Sequence, residues 1–332
     1  METPCYDLLT SVDLPPELLI HIFKLTCILS HDTALRVSLV SSWVRDLVKP
    51  YVFGTVLRRA GSLYPIQGHV ELSHKIPPPG CGEYVRNLWL ETVDILSPFP
   101  REISLFKSCP NVKNVALSDN SLCTLLGLYA NPYSNPGHSA IRSLTLINST
   151  PRTAWLVNPR RIFLDNITHL RMVDLQQSPY VPLEYLPNLT HLALPLMHLR
   201  ATNSDTRLLR IPENTTNCPH LKTIVLTVDH YDWLYRPWLH KGRYTTSSVS
   251  HGSAGSPREE FRAVCHAAKA KDSRIYILLS PTIGPGNEHT TVCAEWARAS
   301  RGGESIWEAA ARLSKDDSQL QLLPSVYPKP RM

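Results

Sequence analysis

A six-residue unit recurs along this chain and decides its fold. Its copies are VRNLWL (85–90), VKNVAL (112–117), IRSLTL (141–146), ITHLRM (167–172), LTHLAL (189–194) and LKTIVL (221–226). Every copy carries apolar residues at its first, fourth and sixth positions. Residues two apart on an extended strand point to the same face, so each copy predicts a short strand with one apolar face.

The spacing of the copies predicts how the strands are arranged. Their fourth residue moves from 88 to 115, 144, 170, 192 and 224, in steps of 27, 29, 26, 22 and 32 residues. One short strand cannot bury its apolar face alone, so neighbouring copies must stack. Steps of this size lie in or close to the range of leucine-rich repeats. Residues 80–280 therefore resemble an irregular leucine-rich-repeat domain, an α/β solenoid arc.

Two further features fit this repeat. Three copies have similar lead-ins, CPN (109–111), LPN (186–188) and CPH (218–220), so we interpret Cys109 and Cys218 as buried apolar repeat positions. The segment RIYILL (274–279) predicts a further strand after a helix from Pro257 to Ala270.

The resemblance implies that function lies on the strand positions that point away from the repeat core. These positions are polar with an occasional aromatic residue, which is typical of a protein-recognition surface. We predict that the target-binding residues are Trp89, Asn114, Thr145, His169, Arg171 and His191.

Residues 13–58 read DLPPELLIHIFKLTCILSHDTALRVSLVSSWVRDLVKPYVFGTVLR and predict two or three short helices. Pro15 and Pro16 can open a helix because first-turn amides have no intrahelical partner. The polar residues 30–32 predict a break, and Lys49-Pro50 predicts the end of the last helix. So small a unit buries little core by itself, so it should dock on the rest of the chain or on a partner.

This segment resembles the F-box. The matching residues are Leu14, Pro15, Glu17, Leu18, Leu19, Ile22 and Phe23, followed by Val40, Ser41, Trp43 and Leu47. The resemblance implies a three-helix module that binds the Skp adaptor of a cullin-based ubiquitin ligase. The adaptor-binding residues that it implies are Leu14, Pro15, Leu18, Leu19, Ile22, Phe23, Val40 and Trp43. The alternative is a repeat scaffold with no ubiquitin role, whose N-terminal helices cap the first repeat.

The C-terminal part predicts two short helices over 290–314 that cap the last repeat, since the ends of a solenoid need covering. Its segment GGESIWEAAARL (302–313) is similar to C-terminal stretches of F-box proteins of mushroom-forming fungi. The Ser- and Gly-rich stretch 242–256 predicts a flexible loop.

Composition and motifs argue against other classes of function. The net charge of +6 is spread over the chain and its basic groups are pairs, which disfavours nucleic acid and an RNA-binding arc. No zinc spacing, G-x-S-x-G elbow or Walker loop occurs, so we expect neither an enzyme nor a cofactor. Eight cysteines without C-x-x-C, and no signal peptide, predict a reduced cytoplasmic or nuclear protein. No apolar run reaches the roughly 20 residues that span a bilayer, so we expect a soluble chain.

Overall fold

The computed structural model divides the chain into two compact units, Met1–Val52 and Phe53–Met332. It describes residues 14–58, 77–91, 100–118, 121–123, 125–126, 138–147, 164–173, 181, 183–195, 215, 218–235, 256–280 and 288–313. The predicted loop over 242–256 lies outside these residues except for Ser256.

Over residues 14–52, the first unit contains three helices: α1 (Pro16–Leu29), α2 (His31–Val37) and α3 (Ser42–Val52). The prolines open α1 as predicted. The break after α1 falls at Ser30, whose hydroxyl accepts a hydrogen bond from the Thr33 amide at 3.3 Å and caps α2.

The predicted end of the last helix at Lys49-Pro50 is wrong, because α3 continues through Pro50 to Val52. Pro50 lies in the last turn of α3, where its missing amide removes one hydrogen bond to the preceding turn, and the helix ends two residues later.

The described residues of the second unit form one sheet of eight parallel strands in chain order. The strands are β1 (Thr55–Arg58), β2 (Asn87–Leu90), β3 (Asn114–Leu117), β4 (Ser143–Leu146), β5 (His169–Met172), β6 (His191–Pro195), β7 (Thr223–Asp229) and β8 (Ile275–Ser280). The six copies of the unit supply β2 to β7, and 274–279 supplies β8. The predicted α/β class is therefore confirmed.

Strand pairing follows the register of the repeat. Leu88 lies opposite Val115, Val115 opposite Leu144, and the series continues through Leu170, Leu192 and Ile224 to Ile275. The first strand of the sheet is not a copy of the repeat unit. Thr55–Arg58 pairs with β2 as the first strand, so the helical unit ends at Val52 and not at residue 58.

Helices of the second unit lie between or after the strands: α4 (Pro100–Ser108), α5 (His230–Tyr235), α6 (Pro257–Lys271), α7 (Glu288–Ala299) and α8 (Ile306–Leu313). α6 matches its predicted range to within one residue, and Ser256 with Glu259 forms a capping box at its start.

The main core lies on one face of the sheet, which we call the first face. It is formed by the apolar fourth and sixth residues of the copies, together with Phe106 of α4, Trp233 of α5 and Phe261 of α6. Cys109 is fully buried in this core and Cys218 packs against it. Both cysteines occupy the apolar repeat positions that the lead-ins predicted.

Candidate functional site

Two regions carry the predicted site residues, one in each unit. The first is the outer surface of α1 and of the turn between α2 and α3. The small interior of this unit is formed by Cys27, Ala34, Val44, Val48 and Val52, which are all buried. Phe23 and Trp43 join α1 to α3, with ring centroids 6.1 Å apart.

α1 carries apolar side chains on its outward side as well as on its inward side. Leu18, Ile22 and Leu25 are 51%, 44% and 49% exposed, and their spacing places them in one stripe along the helix. Leu39 and Val40, in the turn between α2 and α3, are 75% and 66% exposed. Within the part of the chain that is described, every exposed large hydrophobic side chain lies between residues 14 and 43.

Most of the predicted adaptor-binding residues lie on this surface. Leu14, Pro15, Leu18, Ile22, Val40 and Trp43 are exposed, whereas Leu19 and Phe23 are half-buried and turn toward the interior. The structure also exposes Leu25, Ile28, Leu35 and Leu39, which the motif did not include. The continued three- and four-residue spacing along α1 is the signal that could have identified Leu25.

The second region is the face of the sheet opposite the main core, which we call the second face. All six predicted target-binding residues lie on it, in two rows set by the strand register. Trp89, Thr145 and Arg171 belong to one row, and Asn114, His169 and His191 belong to the other.

The expectation that this face is open is wrong for three of these residues, because helices cover it. Trp89, Thr145 and Arg171 are buried, and Trp89 packs edge-to-face against Trp296 of α7 with centroids 5.5 Å apart. Cys293 and Ala297 of α7 join the same apolar cluster, which includes Leu57 and Ala116.

α8 covers the later strands in the same way. Ile306 and Ala310 pack on residues of β6 to β8, namely Ala193, Val225 and Leu278. The two C-terminal helices predicted over 290–314 therefore exist, and they lie across the second face of the sheet. The physical reason is that the second face is apolar at Trp89, Ala116, Ala193 and Val225, and burying that surface stabilises the fold.

A buried ion pair ties α7 to the sheet. Arg171 donates two hydrogen bonds to Glu295, from Nη1 to Oε1 and from Nη2 to Oε2, both at 3.1 Å. The Arg171 side chain is 9% exposed and that of Glu295 is 19% exposed. Asn87 forms a further hydrogen bond to this region. Its Nδ2 donates at 3.1 Å to the carbonyl of Ser300, which directly follows α7.

The turn from α7 to α8 depends on glycine. Gly302 has φ +88°, in the left-handed region, and its amide donates to the Ala299 carbonyl at 3.1 Å. A Cβ on Gly303 would lie 2.8 Å from the Arg298 carbonyl oxygen. Ser305 and Glu308 then form reciprocal hydrogen bonds that start α8.

His169 and His191 stack on the second face with centroids 4.2 Å apart, and Trp307 of α8 lies edge-on to both rings. Thr168 donates its hydroxyl hydrogen to the Arg142 carbonyl, so its oxygen accepts from Nδ1–H of His169 at 2.8 Å. Thr190 holds His191 in the same way. Both rings therefore keep Nε2 as an acceptor.

Burial and the neighbouring His191 lower the pKa of His169 to about 4. Burial and Lys222 lower the pKa of His191 as well. The stacked pair is therefore neutral at physiological pH.

A cleft remains open between the end of α7, the start of α8 and strands β3 to β5, with a volume of about 270 Å³. We call it the α7–α8 cleft. Its lining includes Asn114, Arg142, Ser143, Thr145, His169, Trp296 and Trp307. Four of the six predicted target-binding residues, counting Arg171, thus border one cleft, whereas Trp89 and His191 do not.

Sequence reasoning missed Arg142, Trp296, Ser305 and Trp307 as members of this site. Arg142 precedes a strand in the repeat, and that position was a signal that could have found it. The C-terminal residues gave no such signal.

Among the described residues, no group of three or more His, Cys, Asp or Glu side chains is placed to hold a metal ion. None of the helices in that part of the chain is both long and apolar enough to span a membrane. A scan of protein-family models finds none that matches this chain, and a search of curated proteins finds no match either.

Proposed function

We propose that this chain is a substrate-recognition adaptor of a Skp–cullin–F-box type ubiquitin ligase. In this proposal the three-helix unit is an F-box that binds the Skp adaptor. The sheet and its connecting segments form an irregular leucine-rich-repeat arc that binds a protein target. Catalysis belongs to other subunits, and this chain contributes proximity in the cytoplasm or nucleus.

The observation that carries the proposal is the exposed apolar surface of the three-helix unit. Soluble proteins rarely expose contiguous apolar side chains without a partner. Leu18, Ile22 and Leu25 form a stripe on α1 that the unit's own interior leaves exposed. The alternative is a repeat scaffold with no ubiquitin role, which predicts no binding to a Skp-type adaptor.

The partner that fits this surface presents an apolar groove. Each half-exposed Leu or Ile still has about 1 kcal/mol of burial to gain on docking. Leu39, Val40 and Trp43 widen the surface beyond α1, so several anchors share the binding free energy.

The experiment is a binding titration of the purified chain with a purified Skp-type adaptor. The test variant is Leu18→Glu/Ile22→Glu, which places two charges in the stripe. The matched control is Lys24→Glu, which changes the net charge by the same two units at an exposed position of the same helix. We expect the double variant to lose at least about 100-fold in affinity, because two apolar contacts are lost and two charges are desolvated. The control should stay within about threefold, as surface charges contribute little.

Two outcomes would refute the proposal. One is a folded native chain that does not bind the adaptor, which leaves a repeat scaffold. The other is equal loss in the control and the double variant, which would mean that binding follows charge and not the apolar stripe. Circular dichroism and the unfolding temperature of each variant establish that it is folded.

A further inference from the structure

The α7–α8 cleft has the size of a site for one or two amino-acid side chains. Its volume of about 270 Å³ is below the roughly 300–1,000 Å³ of pockets that take drug-sized ligands. The indoles of Trp296 and Trp307 form apolar walls, and polar groups of β3 to β5 form the floor. A pocket with apolar walls and a few convergent polar groups is typical of a recognition site.

Thr145 is one of the polar groups at the floor of the cleft. Its side chain is only 2% exposed, and within the described chain its hydroxyl makes no hydrogen bond. The hydroxyl oxygen reaches the solvent of the cleft, so it can donate a hydrogen bond to a ligand there. The hydroxyl of Ser143, also in the lining, makes no hydrogen bond to the described residues either.

Arg142 supplies a positive charge whose orientation is fixed. Its Nη1 donates to the Ser139 carbonyl at 2.7 Å and to the Ile141 carbonyl at 3.0 Å. These bonds hold the guanidinium and leave its Nε and Nη2 edge available, since no described group accepts from that edge. Two parallel N–H groups on one edge match a carboxylate in bidentate geometry.

The charges around Arg142 favour an anionic ligand. The residues that precede β2, β3 and β4 are Arg86, Lys113 and Arg142, and their backbones are hydrogen-bonded in series. They form a basic row at the amino ends of adjacent strands, about 4.8 Å apart. The one carboxylate that lines the cleft, Glu295, is neutralised by its bidentate pair with Arg171.

We propose that the α7–α8 cleft binds an acidic side chain of the target protein, with Arg142 pairing its carboxylate and Thr145 and Ser143 donating hydroxyl hydrogen bonds. The target segment extends from the cleft along the basic row of Arg86, Lys113 and Arg142. This inference deepens the proposed function and rests on it, because it names the chemical class of the target segment.

The test uses a display library of random dodecapeptides, selected against the full-length chain. Affinities of selected peptides are then measured by fluorescence anisotropy. The test variants are Arg142→Gln and Thr145→Val, the second of which keeps the side-chain shape and removes the hydroxyl. The matched control is Lys222→Gln, at the same repeat position but three strands further along the sheet, about 14 Å away.

We expect selected peptides to be enriched in Asp or Glu next to an apolar residue. Arg142→Gln should weaken their binding by about tenfold or more, and Thr145→Val by about threefold to tenfold. The control should change affinity by less than about twofold. If Arg142→Gln does not fold, the affinity of the Thr145→Val variant for the selected peptides tests the proposed site.

Three results with peptides would overturn the inference. These are a selection that yields no binders, selected peptides without an acidic preference, and equal losses in Lys222→Gln and Arg142→Gln. Binding of single-stranded RNA by the native chain in place of peptides would also overturn it. Adaptor binding is measured on the same preparations. If the chain binds the adaptor but no peptide, only the proposed role of the cleft is refuted. If it binds peptides but not the adaptor, only the F-box assignment is refuted.

Discussion

The ion pair between Arg171 and Glu295 provides a quantitative test of whether α7 lies on the second face. Arg171→Met removes both 3.1 Å hydrogen bonds and leaves a carboxylate that is 19% exposed without its partner. Breaking a buried pair costs about 3–5 kcal/mol, and the partial exposure of Glu295 reduces this to about 2–4 kcal/mol. Glu295→Leu alone leaves the Arg171 charge unpaired and should cost a similar amount.

The double variant Arg171→Met/Glu295→Leu should recover most of this loss. Replacing both members of a buried pair by apolar side chains of similar volume is often neutral, so we expect stability within about 1 kcal/mol of the native chain. The three variants and the native chain form a double-mutant cycle with a coupling of about 3–8 kcal/mol, which is the sum of the two single losses less the loss in the double variant.

The measurement is urea unfolding followed by tryptophan fluorescence in a Trp43→Phe background. All six remaining tryptophans then lie in the second unit. If each single variant costs under about 0.5 kcal/mol and the two effects add, the pair is not formed. That result would refute the placement of α7 on the sheet, and with it the α7–α8 cleft.

Three further predictions concern other parts of the structure. His169 has a pKa of about 4 in the folded chain and about 6.5 in the unfolded chain. Its contribution to the free energy of unfolding is therefore complete above pH 6.5 and is lost as the pH falls to 4. The loss is about 1–2 kcal/mol after allowing for partial exposure, and His169→Asn should flatten the stability between these pH values. Gly302→Ala forces a side chain into φ +88° and should cost about 1 kcal/mol in urea unfolding, whereas Gly302→Asn should cost less. Ile22→Ala should cost under about 1 kcal/mol in thermal unfolding, since the side chain is exposed, whereas Val48→Ala, in the interior, should cost about 2 kcal/mol. An equal cost for Ile22 and Val48 would mean that the stripe is buried.

The face of the sheet on which several site residues lie could be predicted from the sequence, because the position of a residue within a copy of the repeat fixes that face. Each of Trp89, Thr145 and Arg171 is the fifth residue of its copy, and the three residues lie in one row of the sheet. Their exposure could not be predicted, because alternation along a strand does not say what packs on the second face. The pairing of Trp89 with Trp296 joins positions more than 200 residues apart in the chain.

In the first unit too, the sequence predicted the helix but not which of its side chains are buried. The spacing of apolar residues predicted α1 and an apolar face. α1 is apolar on two sides, however, and only packing against α2 and α3 decides that Phe23 turns inward while Leu18 and Ile22 stay exposed.

The strand at Thr55–Arg58 was missed for a related reason. Its sequence TVLR lacks the repeat pattern, and its partner β2 supplies the hydrogen bonds that make it a strand.

The sequence by itself therefore determined strands β2 to β8, their register and the helices of the first unit, because each depends on a repeating local pattern of apolar residues. Only the tertiary structure decided that α7 and α8 cover the second face, that Arg171 pairs with Glu295 and that a cleft remains beside Arg142. Those features depend on contacts between distant segments, whose free energy comes from burial and charge pairing that no local periodicity records.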